Sequence, residues 1–87
     1  TQNYPNPFNP ETTIEFALPQ GANVSLKIYD VTGKLVKTLV DEPLSAGRFQ
    51  ATWDATNAYG SSVSSGIYIY RLSSGSFQQI KRMVLLK

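Results

Sequence analysis

Apolar and polar residues alternate along most of this chain. From Thr12 to Leu18, Ile14, Phe16 and Leu18 fall on one side and Thr13, Glu15 and Ala17 on the other. That period of two is the mark of a half-buried strand, and Pro19-Gln20-Gly21 ends it. Asn23 to Tyr29 repeats the pattern, with Val24, Leu26 and Ile28 inward, before Asp30-Val31-Thr32-Gly33 supplies turn residues. Leu35 to Val40 has strand composition without a clean period, which predicts burial on both faces or a bulge. A loop is expected from Asp41 to Gly47. Arg48 to Asp54 alternates again, placing Phe49, Ala51 and Trp53 together.

The stretch from Asp54 to Gly66 is rich in Asn, Ser and Gly and predicts a long loop, with Val63 as its inward anchor. Ile67 to Leu72 is β-branched or aromatic almost throughout and is the strongest β segment. Ser73-Ser74-Gly75-Ser76 then turns the chain into a last strand, Phe77 to Leu86. About seven short strands at roughly ten-residue spacing, with no helical stretch and no repeat, predict an all-β immunoglobulin-like antiparallel sandwich; an open barrel is the alternative. The expected core contains Phe16, Leu26, Ile28, Phe49, Trp53, Tyr68 and Leu72.

At 87 residues the chain has room for one core and not two, so residues 1–87 are read as a single domain. No apolar run approaches the length of a membrane-spanning helix. Thr1 follows neither an initiator Met nor a basic-then-apolar leader, and the expectation is a module excised from a longer protein. A net charge of +2, with the basic residues scattered until Lys81 and Arg82, is too diffuse for a nucleic-acid footprint.

The chain has no His and no Cys, which removes the commonest general base, the commonest metal ligand and every thiolate. Among the six carboxylates only Asp41 and Glu42 are neighbours, and in an extended chain they point to opposite faces, a poor acid–base pair. Asp54, Thr56 and Asn57 offer oxygens for calcium, but too few, and turn formation explains them better. Trp53, Tyr29 and Tyr59 are the aromatics a sugar platform would use, although Trp53 shares its phase with core positions. No glycine-rich phosphate loop is present. The expectation is a non-enzyme with no cofactor and no metal.

Tyr4-Pro5-Asn6-Pro7-Phe8-Asn9-Pro10 sets prolines at alternate positions, which fixes an extended path that Tyr4 and Phe8 can anchor. Followed by Glu11 to Phe16, this stretch resembles the opening of the C-terminal sorting domains of type IX secretion in Bacteroidetes-type bacteria (type A, the Por secretion tail). Val24 to Asp30 with Gly33-Lys34-Leu35-Val36 is similar to a second family block. Trp53-Asp54, Gly60 and Ser65-Gly66-Ile67-Tyr68 are similar to a third, and Lys81-Arg82-Met83-Val84-Leu85-Leu86-Lys87 to the terminal one. One departure is Ala55, where the family often has Gly. A related immunoglobulin-like module of flagellar hook-cap proteins shares several blocks.

The resemblance implies a C-terminal address label, with Gly66, Tyr68 and Lys81 to Lys87 as the sorting-signal candidates. It also implies partners: the type IX machinery, a sortase-like peptidase and an N-terminal cargo domain in the same precursor. The destination would be the medium or the cell surface, by way of the periplasm. An accessory spacer or a carbohydrate-binding module of a secreted protein is the alternative.

Overall fold

A computed structural model describes residues 11–87. The motif from Tyr4 to Pro10 therefore lies outside the described residues. Six strands are present among them: β1 (Thr12–Leu18), β2 (Ala22–Asp30), β3 (Leu35–Leu44), β4 (Gly47–Trp53), β5 (Gly66–Ser74) and β6 (Phe77–Leu85). All pairings among the described strands are antiparallel. β1 pairs with β4 in a two-stranded sheet, and the other sheet has the order β3-β2-β5-β6. Together they form the expected immunoglobulin-like sandwich, with six described strands instead of about seven. Between β4 and β5 the chain makes only an isolated bridge, Thr56 to Ser62, because Asn57 and the small residues around it close turns.

The core is the set of inward positions that alternation marked. Ile14, Phe16 and Leu18 of β1 face Val24, Leu26 and Ile28 of β2, Tyr68, Tyr70 and Leu72 of β5, and Met83 and Leu85 of β6. Trp53 is wholly buried at the end of β4, with its ring edge-on to Tyr68 at 5.1 Å between centroids. Its indole Nε1 donates to the Thr56 carbonyl at 2.8 Å, so the one polar atom of the ring is satisfied inside the core. Six of the seven expected core residues are buried. Phe49 is the exception: it stacks on Phe16 at 5.6 Å but stays half-buried, on a strand that among the described residues pairs with β1 alone.

β3 also differs from its expected form. It runs on through Asp41, Glu42 and Pro43 to Leu44, where a loop was expected, because Ala22 to Ser25 of β2 give this segment a full register to pair with. Pro43 is tolerated because β3 is an edge strand whose outer amides need no partner strand. The irregular period read from the sequence corresponds to two register shifts, opposite Leu26/Lys27 and Ile28/Tyr29.

Two backbone positions carry unusual conformations that matter. Gly75 has φ 61° in the two-residue turn joining β5 to β6, the left-handed geometry that tight hairpins demand. Ala55 has φ 63° and is buried, while its carbonyl accepts the Val63 N–H at 2.9 Å. A glycine suits this position physically, because an L side chain in the left-handed region is strained by about 1–2 kcal/mol. Ala55→Val should therefore lower stability by about 1–3 kcal/mol, combining a β-branched residue at positive φ with overpacking. Ala55→Gly should stay close to wild type, since relief of strain offsets about 0.8 kcal/mol of lost methyl burial. Urea denaturation of the two variants measures both, and a Val variant as stable as wild type would rule the account out.

Candidate recognition surface on the last hairpin

The β5–β6 register brings together segments far apart in the sequence. Gly66 pairs with Leu85, Tyr68 with Met83, Ile69 with Arg82 and Tyr70 with Lys81. Gly66 and Tyr68 thus stand directly beside the terminal block, a proximity that no sequence pattern reveals. Gly66 has φ 151°, a conformation that L side chains rarely adopt, and a Cβ there would meet nothing within 4 Å. Its requirement for glycine is conformational, not steric. The Tyr68 hydroxyl donates to the Ser64 carbonyl at 2.7 Å, and the Lys87 N–H donates to Ser65 Oγ at 3.0 Å. These two bonds tie the hairpin's base and the chain's last residue to the segment that enters β5.

The candidate residues divide by face. Met83 and Leu85 are wholly buried and belong to the core. Arg82, Leu86 and Lys87 are exposed, and Val84 is half-buried. Lys81 is half-buried, because it shares the inward face with Met83 and Leu85 and stands opposite Tyr70. Tyr70 is itself wholly enclosed, and burial pushes its phenol up to about 12, so it remains a neutral core residue.

Sequence reasoning missed the outward face of this hairpin. Ile67 and Ile80 are exposed there, and Ile69 and Val84 are half-buried. Beside them Arg71 donates through Nη2 to the Tyr29 hydroxyl at 2.8 Å, with its guanidinium 5.2 Å from the Tyr29 ring centroid. The signal was present in Ile67-Tyr68-Ile69-Tyr70, where both alternating sets are apolar, so that one had to face away from the core.

The other candidate chemistry resolves into turns. Asp54 accepts the Thr56 hydroxyl at 2.5 Å and has the Lys37 ammonium at 3.8 Å; the hydroxyl above all, and then the Lys37 charge, hold its carboxyl below the usual value. Asn57 Oδ1 accepts the N–H groups of Tyr59 and Ser61. Asp30 Oδ1 accepts the Thr32 hydroxyl and the N–H groups of Thr32 and Lys34, and its carboxyl is likewise lowered, first by the Thr32 hydroxyl. Asp41 and Glu42 lie exposed on successive positions of β3. Among the described residues no three His, Cys, Asp or Glu side chains cluster as metal ligands would. Of the three aromatics considered for sugar stacking, Trp53 is in the core, Tyr29 is half-buried under Arg71 and Tyr59 is 93% exposed, so they form no common row.

Comparison with known proteins places the fold. The family model of the FlgD Ig-like domain matches residues 6–76, ending at the turn before β6. No curated protein sequence matches the chain. Dimeric latent PorU from Porphyromonas gingivalis is similar in structure, with a TM-score of 0.73 and 26% identity over 98% of this chain and 9% of that one. PorZ of the same organism, described as an essential bacterial surface component of the type-IX secretion system, gives 0.69 and 27% over 99% of this chain and 11% of PorZ. FlgD from Xanthomonas campestris, described through hook capping in flagellar assembly, gives 0.66 and 21% over 91% of this chain and 58% of FlgD, a likeness of fold alone. The chain thus spans about a tenth of the two Porphyromonas proteins.

Proposed function

The chain belongs to the FlgD Ig-like domain family, and from that premise we propose that it is a non-catalytic sorting signal of the type IX secretion system. In this reading residues 1–87 are one domain at the C-terminus of a precursor and direct an N-terminal cargo across the outer membrane, from the periplasm to the medium or cell surface. The observation that carries it is the 27% identity to PorZ over 99% of this chain, which makes the whole chain equivalent to a small module of a far larger surface protein. The family match ends before β6, whereas the likeness to PorU and PorZ extends over nearly the entire chain. Partners on this reading are the translocation machinery and a sortase-like peptidase that releases the domain. Absence of His and Cys supports a role without catalysis.

A second reading, a spacer or assembly module with no sorting role, is favoured by the family match itself. One experiment separates them. The domain is fused to the C-terminus of a reporter bearing a signal peptide, and expressed in a host with type IX secretion and in a derivative lacking the system. The sorting reading expects reporter in the medium or on the surface of the first host and in the periplasm of the second. A folded fusion retained in the periplasm of both would leave the spacer reading.

A further inference from the structure

The outward face of the four-stranded sheet holds two cations at its centre. Lys27 of β2 stands directly opposite Arg71 of β5, and both strands are central in the order β3-β2-β5-β6. Their neighbours along the strands, Leu26, Ile28, Tyr70 and Leu72, are buried, so the two side chains point away from the core and are themselves half-buried. Like charges directly opposite on one face destabilise a sheet. No ion pair among the described residues relieves these two. The Arg71 guanidinium is engaged with Tyr29 alone, through the hydrogen bond to its hydroxyl and the approach to its ring, and the Lys27 ammonium has no partner among the described residues. Asp41 is the one carboxylate at an outward strand position among the described residues, and it stands a row away, opposite Ser25.

The groups around this pair define what fits there. The Tyr29 hydroxyl accepts from Arg71 and keeps its own proton to donate, the guanidinium has further N–H groups, and the Lys27 ammonium has three. A site of donors and positive charge asks for a negatively charged acceptor, which a carboxylate is. To one side of the pair the face is apolar: Ile80 stands opposite Arg71, Ile69 opposite Tyr29, and Leu35 on the far side of Tyr29. Ile80 is 60% exposed, Leu35 49%, and Val31 of the adjoining turn 65%. The carrier of the carboxylate must therefore bring apolar side chains beside it, which a polyphosphate or an acidic polysaccharide lacks. A second copy does not fit, because two-fold packing through this patch would set Lys27 and Arg71 against the same cations. A membrane fits poorly too. Asp30 lines the apolar end of the patch with Val31, and the anionic headgroups that Lys27 and Arg71 attract would repel it.

We propose that this face is a docking surface for a partner protein, which seats one carboxylate among Lys27, Arg71 and Tyr29 and lays flanking apolar side chains over Ile69, Ile80 and Leu35. The carboxylate neutralises the charge that the two cations leave unrelieved, and burial of the apolar side chains adds to the attachment. The surface uses none of the residues from Lys81 to Lys87 and does not depend on the sorting reading. Its test is a binding measurement in solution, so it can fail while export succeeds, and the reverse.

The probe is the peptide GSVFEIVSG, acetylated and amidated, titrated against the full chain while backbone amide shifts are followed by NMR. Its controls are GSVFQIVSG, which keeps the apolar groups without the charge, and GSSSESSSG, which keeps the charge alone. The acidic apolar peptide should bind and shift the amides of residues 27–31, 69–71 and 80, and both controls should bind about tenfold more weakly or not at all. Lys27→Gln should weaken the first peptide by about 1.4- to 5-fold without unfolding the domain. Lys27→Glu supplies a carboxylate opposite Arg71 from within the domain, so it should raise the unfolding midpoint and abolish binding. Equal binding of the Glu and Gln peptides, no binding of the first up to about 1 mM, or shifts confined to other strands would overturn the proposal. A Lys27→Glu domain less stable than wild type would remove the unrelieved charge on which the site rests. Vesicles of phosphatidylglycerol and phosphatidylcholine binding in place of the peptide would assign the face to a membrane. Binding that appears only in a variant with Tyr4→Ser and Phe8→Ser would assign it to the chain's own N-terminal segment, and either result overturns a partner protein.

Discussion

Replacing Trp53 with Ala is expected to lower the stability of the domain by about 3–5 kcal/mol, a large part of what a small domain possesses. Trp53 is wholly buried, packs edge-on against Tyr68, and its indole N–H satisfies the Thr56 carbonyl. Truncation removes the largest side chain of the core and leaves that carbonyl without its donor. The loop that follows β4 should loosen as well, because Thr56 is held both through this bond and through Lys37. For a domain of this size the melting temperature should fall by more than about 10 °C. Thermal and urea unfolding followed by circular dichroism measure it, and a midpoint equal to wild type would contradict the packing described for β4.

The second large effect is expected in β6 and separates stability from recognition. Met83→Ala and Leu85→Ala should each cost about 2–5 kcal/mol, because both side chains are wholly enclosed between the sheets. Arg82→Gln and Lys87→Gln should each change stability by no more than about 0.5 kcal/mol, as exposed substitutions do. Export of a reporter fusion should nevertheless fall in the charge variants if the end of the chain is read directly, while the core variants should lose export only in step with folding. Unfolding midpoints and exported reporter, measured on the same four variants, give the two quantities. Charge variants exported like wild type would free these residues from a sorting role, and Met83→Ala at full stability would contradict the register of β6.

What the sequence determined by itself was everything local. The alternation in Thr12–Leu18 and Ala22–Asp30 marked the strands and their buried faces, since a period of two leaves a side chain one choice of side. Turn residues at Pro19 to Gly21, Asp30 to Gly33 and Gly75 located the reversals, because positive φ and side-chain-to-backbone hydrogen bonds belong to particular residue types. Absence of His and Cys narrowed the chemistry open to the chain. Tertiary structure alone decided which strands are neighbours. Hydrogen bonding of β1 with β4, and of β2 with both β3 and β5, joins segments whose sequences carry no mark of each other. From that pairing came the extension of β3 through Asp41 and Glu42, the partial exposure of Phe49, and the meeting of Gly66 and Tyr68 with Leu85 and Met83.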